Sequence, residues 1–164
     1  MKTTVLNARQ IEQKLDRIAY EILENNFDSP TICFIGIHGN GNKIAEALAE
    51  RMQRISNITI NTISIRVNKT NPLGEAITLS KDIEEMSHQT LVLVDDVMNS
   101  GRTMQYALRK LLEIPTERIK TVALVDRKHR KYPIRVDYVG LTLSTTLQDR
   151  VEVTFEDAPL AYLV

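Results

Sequence analysis

The sequence predicts an α/β domain in which a mainly parallel sheet is flanked by helices. Three apolar segments of strand length, Thr31–Ile37, Thr90–Val94 and Ile119–Val125, alternate with segments in which apolar residues recur at helical spacing. Continuous apolar runs of this length are typical of parallel strands that are buried on both faces. Their alternation with helices favours a single sheet covered by helices.

The length and composition fit one domain spanning residues 1–164. The chain has 43% hydrophobic residues, and 21 Lys plus Arg balance 21 Asp plus Glu. This composition excludes a disordered or collagen-like chain, and no apolar stretch approaches the roughly 20 residues that cross a bilayer. We therefore expect a soluble cytoplasmic protein with no membrane partner. Cys33 is the only cysteine and lies in an apolar run, so we expect a small buried side chain rather than a disulfide or metal ligand.

The first half of the chain predicts a helix, a strand, a turn and a second helix. Asn7 and Gln10 have the spacing of a capping box that begins the first helix. The predicted elements are a helix ending near Asn26, a strand over Thr31–Ile37, a turn over His38–Asn42 and a helix around Ile44–Met52.

The second half predicts further strands, one helix and a long connection. The predicted elements are a β-rich segment over Ile58–Val67, a strand over Thr90–Val94, a helix from Ser100 to Leu112, a strand over Ile119–Val125 and short strands within Val136–Leu143 and Val151–Phe155. Polar residues with Pro72 and Gly74 predict a mobile lid over residues 68–87. The β-rich end of the chain predicts a small carboxyl-terminal hood within residues 126–164.

Ligands of open α/β sheets bind beyond the carboxyl ends of the strands, which selects the loops His38–Asn42, Asp95–Thr103 and Asp126–Arg135. In the second loop, Asp95 and Asp96 are adjacent carboxylates that need hydroxyl, amide or metal partners if they are buried. The residues that follow bring hydroxyls and a glycine to a helix amino terminus, where backbone N–H groups bind phosphate. An acid pair followed by a phosphate loop fits a sugar phosphate.

The segment Val94-Asp-Asp-Val-Met-Asn-Ser-Gly-Arg-Thr103 resembles the phosphoribosyl pyrophosphate motif of the type I phosphoribosyltransferases. The similarity extends over nearly the whole chain to one subgroup, the pyrimidine operon attenuation regulators with uracil phosphoribosyltransferase activity. Residues 17–25 resemble the first helix of that subgroup, and residues 123–140 resemble its base-side segment. The resemblance implies a Rossmann-like type I phosphoribosyltransferase fold with a hood, and a homodimer or higher homo-oligomer.

The activity implied by the resemblance is pyrimidine salvage. Ribose 5-phosphate is transferred from phosphoribosyl pyrophosphate to a nucleobase, with uracil preferred, and pyrophosphate is released with Mg²⁺ bound to the pyrophosphate and ribose oxygens. Asp95 and Asp96 are implied to be catalytic, since carboxylates near the sugar stabilise the positive charge that develops there. No residue is implied as a certain direct metal ligand.

The resemblance also implies the ligand contacts of individual residues. Phosphoribosyl pyrophosphate is implied to contact Asp95, Asp96, Val97, Met98, Asn99, Ser100, Gly101, Arg102 and Thr103, with His38, Gly39, Asn40 and Gly41 at the pyrophosphate. The base is implied to contact Asp126, Arg127, Tyr138 and Val139. Without the resemblance, a surface ion pair explains Asp126 and Arg127 better than base binding does, and a place in the core of a strand explains Tyr138 and Val139 better.

Two segments depart from the family pattern. The regulators place Thr-Arg-Gly or a close relative in the pyrophosphate loop, whereas this chain has His38-Gly-Asn-Gly41. A cation facing the leaving group is therefore missing unless Lys43 or Arg66 reaches it. The Tyr-Arg-Asp type segment of the lid is replaced by one whose basic residues are Arg66 and Lys69. We expect sugar-phosphate binding to survive these changes better than turnover does.

Two other functions fit the same residues. The first is a weakly active or inactive nucleotide-sensing regulator of pyrimidine genes, in which Arg17, Lys128 and Arg130 bind RNA. Because the net charge is zero, the protein as a whole does not attract RNA, and a local basic face would have to bind it. The second is a purine phosphoribosyltransferase.

Overall fold

The computed structural model describes residues 1–164, which form a six-stranded sheet, a three-stranded sheet and three α-helices. The elements are β1 (Thr3–Leu6), α1 (Ala8–Asn26), β2 (Thr31–Ile37), α2 (Asn40–Ile55), β3 (Thr59–Arg66), β4 (Thr78–Leu79), a 3₁₀ helix (Ile83–Met86), β5 (Thr90–Met98), α3 (Arg102–Leu111), β6 (Arg118–Asp126), β7 (Tyr138–Thr142), β8 (Val151–Thr154) and β9 (Leu160–Leu163).

The six-stranded sheet has the order β4-β3-β2-β5-β6-β7, and all of its pairings are parallel except that of the edge strand β4. Alternate residues of β2 enter two different cores, because neighbouring side chains of a strand point to opposite faces. Ile32 and Phe34 pack with α1 and α2, whereas Cys33 and Ile35 pack with α3. The predicted α/β class and mainly parallel sheet are confirmed.

The single cysteine has the predicted buried position. Cys33 is 1% exposed, and burial raises the pKa of its thiol to about 12. The thiol therefore stays protonated and serves as a small apolar side chain in the core on the α3 face.

Helix α1 confirms the capping prediction, because Asn7 accepts from the Gln10 backbone and the Gln10 side chain accepts from the Asn7 backbone. The turn predicted over His38–Asn42 is shorter than expected. Helix α2 already begins at Asn40, after Gly39 has reversed the chain with a φ of +100°. Two of the four residues of the predicted pyrophosphate loop are thus helical.

Strand β5 is longer than its apolar run. It was expected to end at Val94, but it continues through both aspartates to Met98 because its pairing with β6 continues, with Val97 opposite Val125 and Met98 opposite Asp126. The acid pair therefore has a rigid strand backbone instead of a loop backbone.

The connection expected as one loop over residues 68–87 contains regular structure. Strand β4 pairs antiparallel with the end of β3, and the 3₁₀ helix buries Met86 to 2% exposure in the α3-face core. Residues 68–77 form its longest stretch without regular structure.

The predicted hood is a three-stranded antiparallel sheet of order β1-β9-β8. The sequence indicated only its carboxyl-terminal origin. Strand β1 also belongs to it. Neither β1 nor β9 was predicted, since each has four residues and the two strands pair with each other from opposite ends of the chain.

We predict that Gly36→Ala destabilises the protein by at least about 3 kcal/mol, because an added methyl group overlaps the backbone of α2. A Cβ at this position would overlap the Asn42 Cα and lie 2.7 Å from the Asn42 backbone nitrogen. Gly39→Ala is the comparison variant: it meets open space and has only its positive φ as a penalty. Urea unfolding measures both, and a loss in Gly36→Ala no larger than in Gly39→Ala would contradict the close contact of α2 with β2.

Candidate active site

A cavity of about 570 Å³ opens at the carboxyl end of β5. Its walls are formed by Lys69, Asp95, Val97, Met98, Asn99, Ser100, Gly101, Arg102, Thr103, Met104, Lys131 and Tyr132. Eight of the nine residues predicted over 95–103 line it. Lys131 and Tyr132 were not predicted from the sequence as site residues, and Lys69 was expected only as a basic residue of the lid.

Asp95 is a buried carboxylate at the mouth of β5. It is 5% exposed, and its Oδ1 accepts from the Asp96 backbone N–H at 2.9 Å. Burial is the main reason that its pKa is raised to about 8, and the charge of Asp96 raises it further. The Lys69 ammonium, 3.8 Å from Oδ1, opposes these effects. A cation or hydroxyl donor bound here would favour the ionised form.

Asp96 connects the acid pair to the first loop. Its Oδ1 accepts from the Val97 backbone at 2.7 Å, and its Oδ2 accepts from Asn40 Nδ2 at 3.0 Å. The same Asn40 amide donates to the Val153 carbonyl of the hood at 2.7 Å. Gly41 permits this approach, because a Cβ there would lie 2.7 Å from the Val94 carbonyl.

The phosphate loop has the backbone geometry of an anion site. Gly101 precedes α3 with a φ of +86°, and Arg102 donates its backbone N–H to Ser100 Oγ at 3.3 Å. The Ser100 carbonyl accepts from the Lys131 and Tyr132 backbones at 2.9 and 3.1 Å, which fixes the loop from outside. The first N–H groups of a helix have no intrahelical acceptor, so those of Thr103 and Met104 in α3 are available to a phosphate.

A guanidinium reaches the first loop from the end of β3. Arg66 Nη2 lies 3.1 Å from His38 Nε2, and the His38 backbone donates to the Ile65 carbonyl at 2.8 Å. Lys43 instead lies over the Phe155 ring of the hood region, 6.0 Å from its centroid. Of the two cations named from the sequence, Arg66 is therefore the one beside His38.

Asp126 is not part of a surface ion pair with Arg127. It is 6% exposed, and its two carboxylate oxygens accept from the two terminal nitrogens of Arg130 at 3.0 and 2.9 Å. Arg127 is 7% exposed, and its guanidinium turns towards Asn99 and the segment 145–149. The Asp126 side chain thus binds Arg130, and the Arg127 side chain connects Asn99 with the segment 145–149.

Tyr138 lies in the core, which is the alternative left open by its sequence. It is 5% exposed, and its hydroxyl accepts from Asn26 Nδ2 at 3.1 Å. Val139 is half-buried on the same strand, and its carbonyl accepts from Arg17 at 3.0 Å. The structure thus leaves the Tyr138 ring without a free face for a base.

Different residues of β7 reach the edge of the sheet beside Asp126. Thr142 is paired with Asp126, and the Leu143 backbone donates to the Asp126 carbonyl at 2.9 Å. The sequence pattern does not indicate which residue lies opposite Asp126, because β7 has five residues and the crossover before it sets its register.

The comparison with known families agrees with this geometry, since residues 1–158 match the model of the phosphoribosyl transferase domain. The chain belongs to the phosphoribosyltransferase family. Curated relatives include the "Bifunctional protein PyrR" of Macrococcus caseolyticus, 31% identical over 95% of this chain and 93% of the relative, and that of Deinococcus deserti, 34% identical over 95% and 89%. The predicted pentosyltransferase class and its pyrimidine-regulator subgroup are confirmed.

Solved phosphoribosyltransferases share the fold at low sequence identity. A hypoxanthine-guanine phosphoribosyltransferase from Bacillus anthracis superposes with a TM-score of 0.74 at 18% identity, covering 98% of this chain and 96% of that one. The hypoxanthine phosphoribosyltransferase of Trypanosoma cruzi has a TM-score of 0.73 at 16% identity, with coverage of 86% and 81%. No helix of this phosphoribosyltransferase is both long and apolar enough to cross a membrane.

The residues present fit Mg²⁺ that is held jointly with a substrate. Nowhere do three His, Cys, Asp or Glu side chains come together, so the protein alone offers no complete metal cage. Mg²⁺ commonly binds through one or two carboxylates together with substrate phosphates, and Asp95 and Asp96 supply carboxylates of this kind. When bound, the ion would neutralise the negative charge of the departing pyrophosphate.

We predict that Asp95→Asn stabilises the unliganded protein increasingly as the pH rises from about 4 to about 8. The folded-state pKa of Asp95 lies above that of an unfolded aspartate, so the folded protein retains a proton that the unfolded chain releases. Wild-type stability falls through this range for that reason, whereas the Asn variant has no such loss. Thermal melts at a series of pH values measure the difference.

Two further variants control this experiment. Lys69→Met removes the cation that favours ionised Asp95, so its loss of stability should be largest at high pH. Lys110→Met removes a lysine of α3 that is paired with Glu113, and its effect on stability should not show this dependence on pH. A wild-type minus Asp95→Asn difference that is constant with pH would contradict the raised pKa.

Proposed function

We propose that this phosphoribosyltransferase transfers ribose 5-phosphate from phosphoribosyl pyrophosphate to uracil. The observation that carries the proposal is the segment 95–103, in which buried Asp95 and half-buried Asp96 precede a glycine-capped helix amino terminus, and eight of whose nine residues line the cavity. The carboxylates match the two ribose hydroxyls, and the helix terminus matches the 5-phosphate.

In the proposed reaction, the bond between ribose C1 and the pyrophosphate oxygen breaks, and pyrophosphate leaves with the electron pair. The base nitrogen then forms a bond to C1, and its proton passes to water. Asp95 and Asp96 accept hydrogen bonds from the ribose hydroxyls and oppose the positive charge on the sugar. Because the pKa of Asp95 is raised in the free protein, hydroxyl donors and cations at the site favour its active, ionised form.

The proposed pyrophosphate end lies at the first loop. Gly39 and Gly41 keep side chains away from this loop, and Asn40 holds it against Asp96. Arg66, beside His38, supplies a positive charge to the leaving group in place of an arginine within the loop. Positive charge here stabilises the anion that develops as pyrophosphate departs.

Uracil is proposed on the resemblance of residues 123–140 to the pyrimidine regulators, and the relatives named "Bifunctional protein PyrR" support it. The base would lie beside Thr142 and Leu143, next to the paired Asp126 and Arg130. A purine is the alternative base, because purine phosphoribosyltransferases are among the proteins with this fold.

RNA binding is a second candidate activity, supported by a basic connection between β6 and β7. Lys128, Lys131 and Arg135 are exposed there, and the Arg135 side chain is 84% exposed. Arg17 and Arg130, which the sequence analysis also considered, are occupied by backbone carbonyls and by Asp126. A uridine nucleotide in the adjacent cavity would alter RNA affinity through this connection. Assembly as a homodimer or larger homo-oligomer is part of the same proposal.

The test of the main proposal is pyrophosphate release with Mg²⁺ and phosphoribosyl pyrophosphate against uracil, hypoxanthine, guanine, xanthine and adenine. We expect release with uracil, together with calorimetric binding of the sugar pyrophosphate. The double variant Asp95→Asn, Asp96→Asn should abolish release and weaken binding while retaining the wild-type circular dichroism. Release with a purine alone would replace uracil in the proposal, and unchanged activity in the double variant would refute the site.

We predict that Arg66→Ala lowers kcat about 30-fold to 1000-fold, because a charge-assisted contact to the developing pyrophosphate is lost. Arg54→Ala is the control, since Arg54 lies on α2 with 65% of its side chain exposed and contacts only Glu50. Steady-state kinetics with saturating substrates measures both. A kcat of Arg66→Ala equal to that of Arg54→Ala would remove Arg66 from the proposed mechanism.

A further inference from the structure

The guanidinium of Arg127 is buried without a carboxylate partner. The residue is 7% exposed and takes part in none of the ion pairs of the protein. Its N–H groups instead donate to the Thr145 hydroxyl at 2.9 Å, to Asn99 Oδ1 at 2.7 Å, to the Thr146 carbonyl at 3.1 Å and to the Asp149 carbonyl. A buried charge is costly unless it is hydrogen-bonded, so these four oxygens fix the position of the side chain.

These acceptors belong to two separate segments. Asn99 lies in the phosphate loop and lines the cavity, whereas residues 145–149 follow β7 and precede β8. Arg127 is the only side chain that hydrogen-bonds to both. His129 contacts only the second segment, through the Thr145 carbonyl at 3.0 Å.

The segment 145–149 is organised internally as a unit. The Thr146 backbone and hydroxyl donate to the Asp149 carboxylate at 3.1 and 2.8 Å, and these hydrogen bonds lower the pKa of Asp149. The segment also continues from Leu143, whose backbone is bonded to Asp126 at the edge where the base is proposed to lie. Any change in the position of this unit therefore moves the wall beside the base.

We infer that Arg127 is a positioning residue, which holds the segment 145–149 against Asn99 and so sets the base wall relative to the sugar phosphate. This inference rests on the proposed function, in which the loop that contains Asn99 binds the sugar phosphate and the segment 145–149 lies beside the base. It replaces the direct base contact implied for Arg127 by the family resemblance. Four of the five N–H donors of the guanidinium are already used by oxygens of the protein.

The arrangement also couples the two parts of the site. A sugar phosphate that orders Asn99 fixes one acceptor of Arg127, and the other three acceptors then hold the segment 145–149. Occupation of the phosphate loop should therefore order the base wall before a base arrives. Hydrogen exchange at the amides of residues 145–149 reports this ordering directly.

The variant that tests the inference is Arg127→Lys, which keeps the charge but cannot reach four oxygens with one ammonium group. We expect the KM for the base to rise about tenfold or more, because misplacement of the reacting groups weakens productive binding. The Kd for phosphoribosyl pyrophosphate with Mg²⁺ should change less than about threefold, since the acid pair and α3 are unaltered. This ligand should also slow exchange at residues 145–149 in the wild type but not in the variant.

Two matched variants separate positioning from a general loss of stability. Arg51→Lys alters another largely buried guanidinium, with 11% of its side chain exposed, which bonds to Glu12 and Asp16 away from the cavity. It should lower the melting temperature without changing the KM for the base. Thr145→Val removes one acceptor of Arg127, and its effect on KM should not add to that of Arg127→Lys, because both variants break the same contact.

The possible outcomes distinguish the inference from the proposed function. Equal losses in base KM and sugar-pyrophosphate Kd, or exchange at 145–149 that responds to the ligand as in the wild type, would overturn the positioning role of Arg127. Ligand-induced ordering that depends on Arg127, without pyrophosphate release on any base, would support that role and contradict the proposed transfer. A wild type that does not bind phosphoribosyl pyrophosphate would overturn both.

Discussion

The desolvation of Asp95 is the constraint around which this site is arranged. A carboxylate that is 5% exposed and adjacent to a second carboxylate resists ionisation, and yet ribose hydroxyls need an ionised acceptor. The protein supplies partial compensation through the Asp96 backbone N–H and the Lys69 ammonium. Because this compensation is partial, the pKa of Asp95 stays raised to about 8, and the carboxyl retains its proton at neutral pH.

Rigid elements hold the chemistry on either side of this pair. Strand β5 continues through the aspartates, and the Asn99 that follows is held from two sides, by Arg130 at its carbonyl, 3.2 Å away, and by Arg127 at its side chain. Preorganised dipoles and donors of this kind lower a barrier because they need not rearrange during the reaction. Arg130 is also paired with Asp126, and Arg127 also bonds to the segment 145–149, so most N–H donors of both guanidinium groups are already used within the protein.

The first loop departs from the family pattern because it has no arginine, but a positive charge still lies beside it, supplied by Arg66 at the end of β3. His38-Gly-Asn-Gly41 contains no arginine, but the end of β3 brings Arg66 to within 3.1 Å of His38. Parallel pairing of β2 with β3 places the carboxyl ends of both strands at one edge, so a residue on one strand can stand in for a residue on the loop of its neighbour. Arg66 thus places beside the first loop a positive charge that the loop itself lacks.

The sequence by itself determined the α/β class, the capped first helix, the buried strands and the acid pair with its phosphate loop. Each of these depends on interactions between residues close together in the chain, or on the burial that a continuous apolar run demands. Only the tertiary structure decided that Tyr138 lies in the core, that Thr142 lies beside Asp126, that β1 joins the hood, and that Arg127 bridges Asn99 to residues 145–149. Strand register and the direction of a long side chain depend on partners distant in the chain, so a local sequence pattern does not predict them.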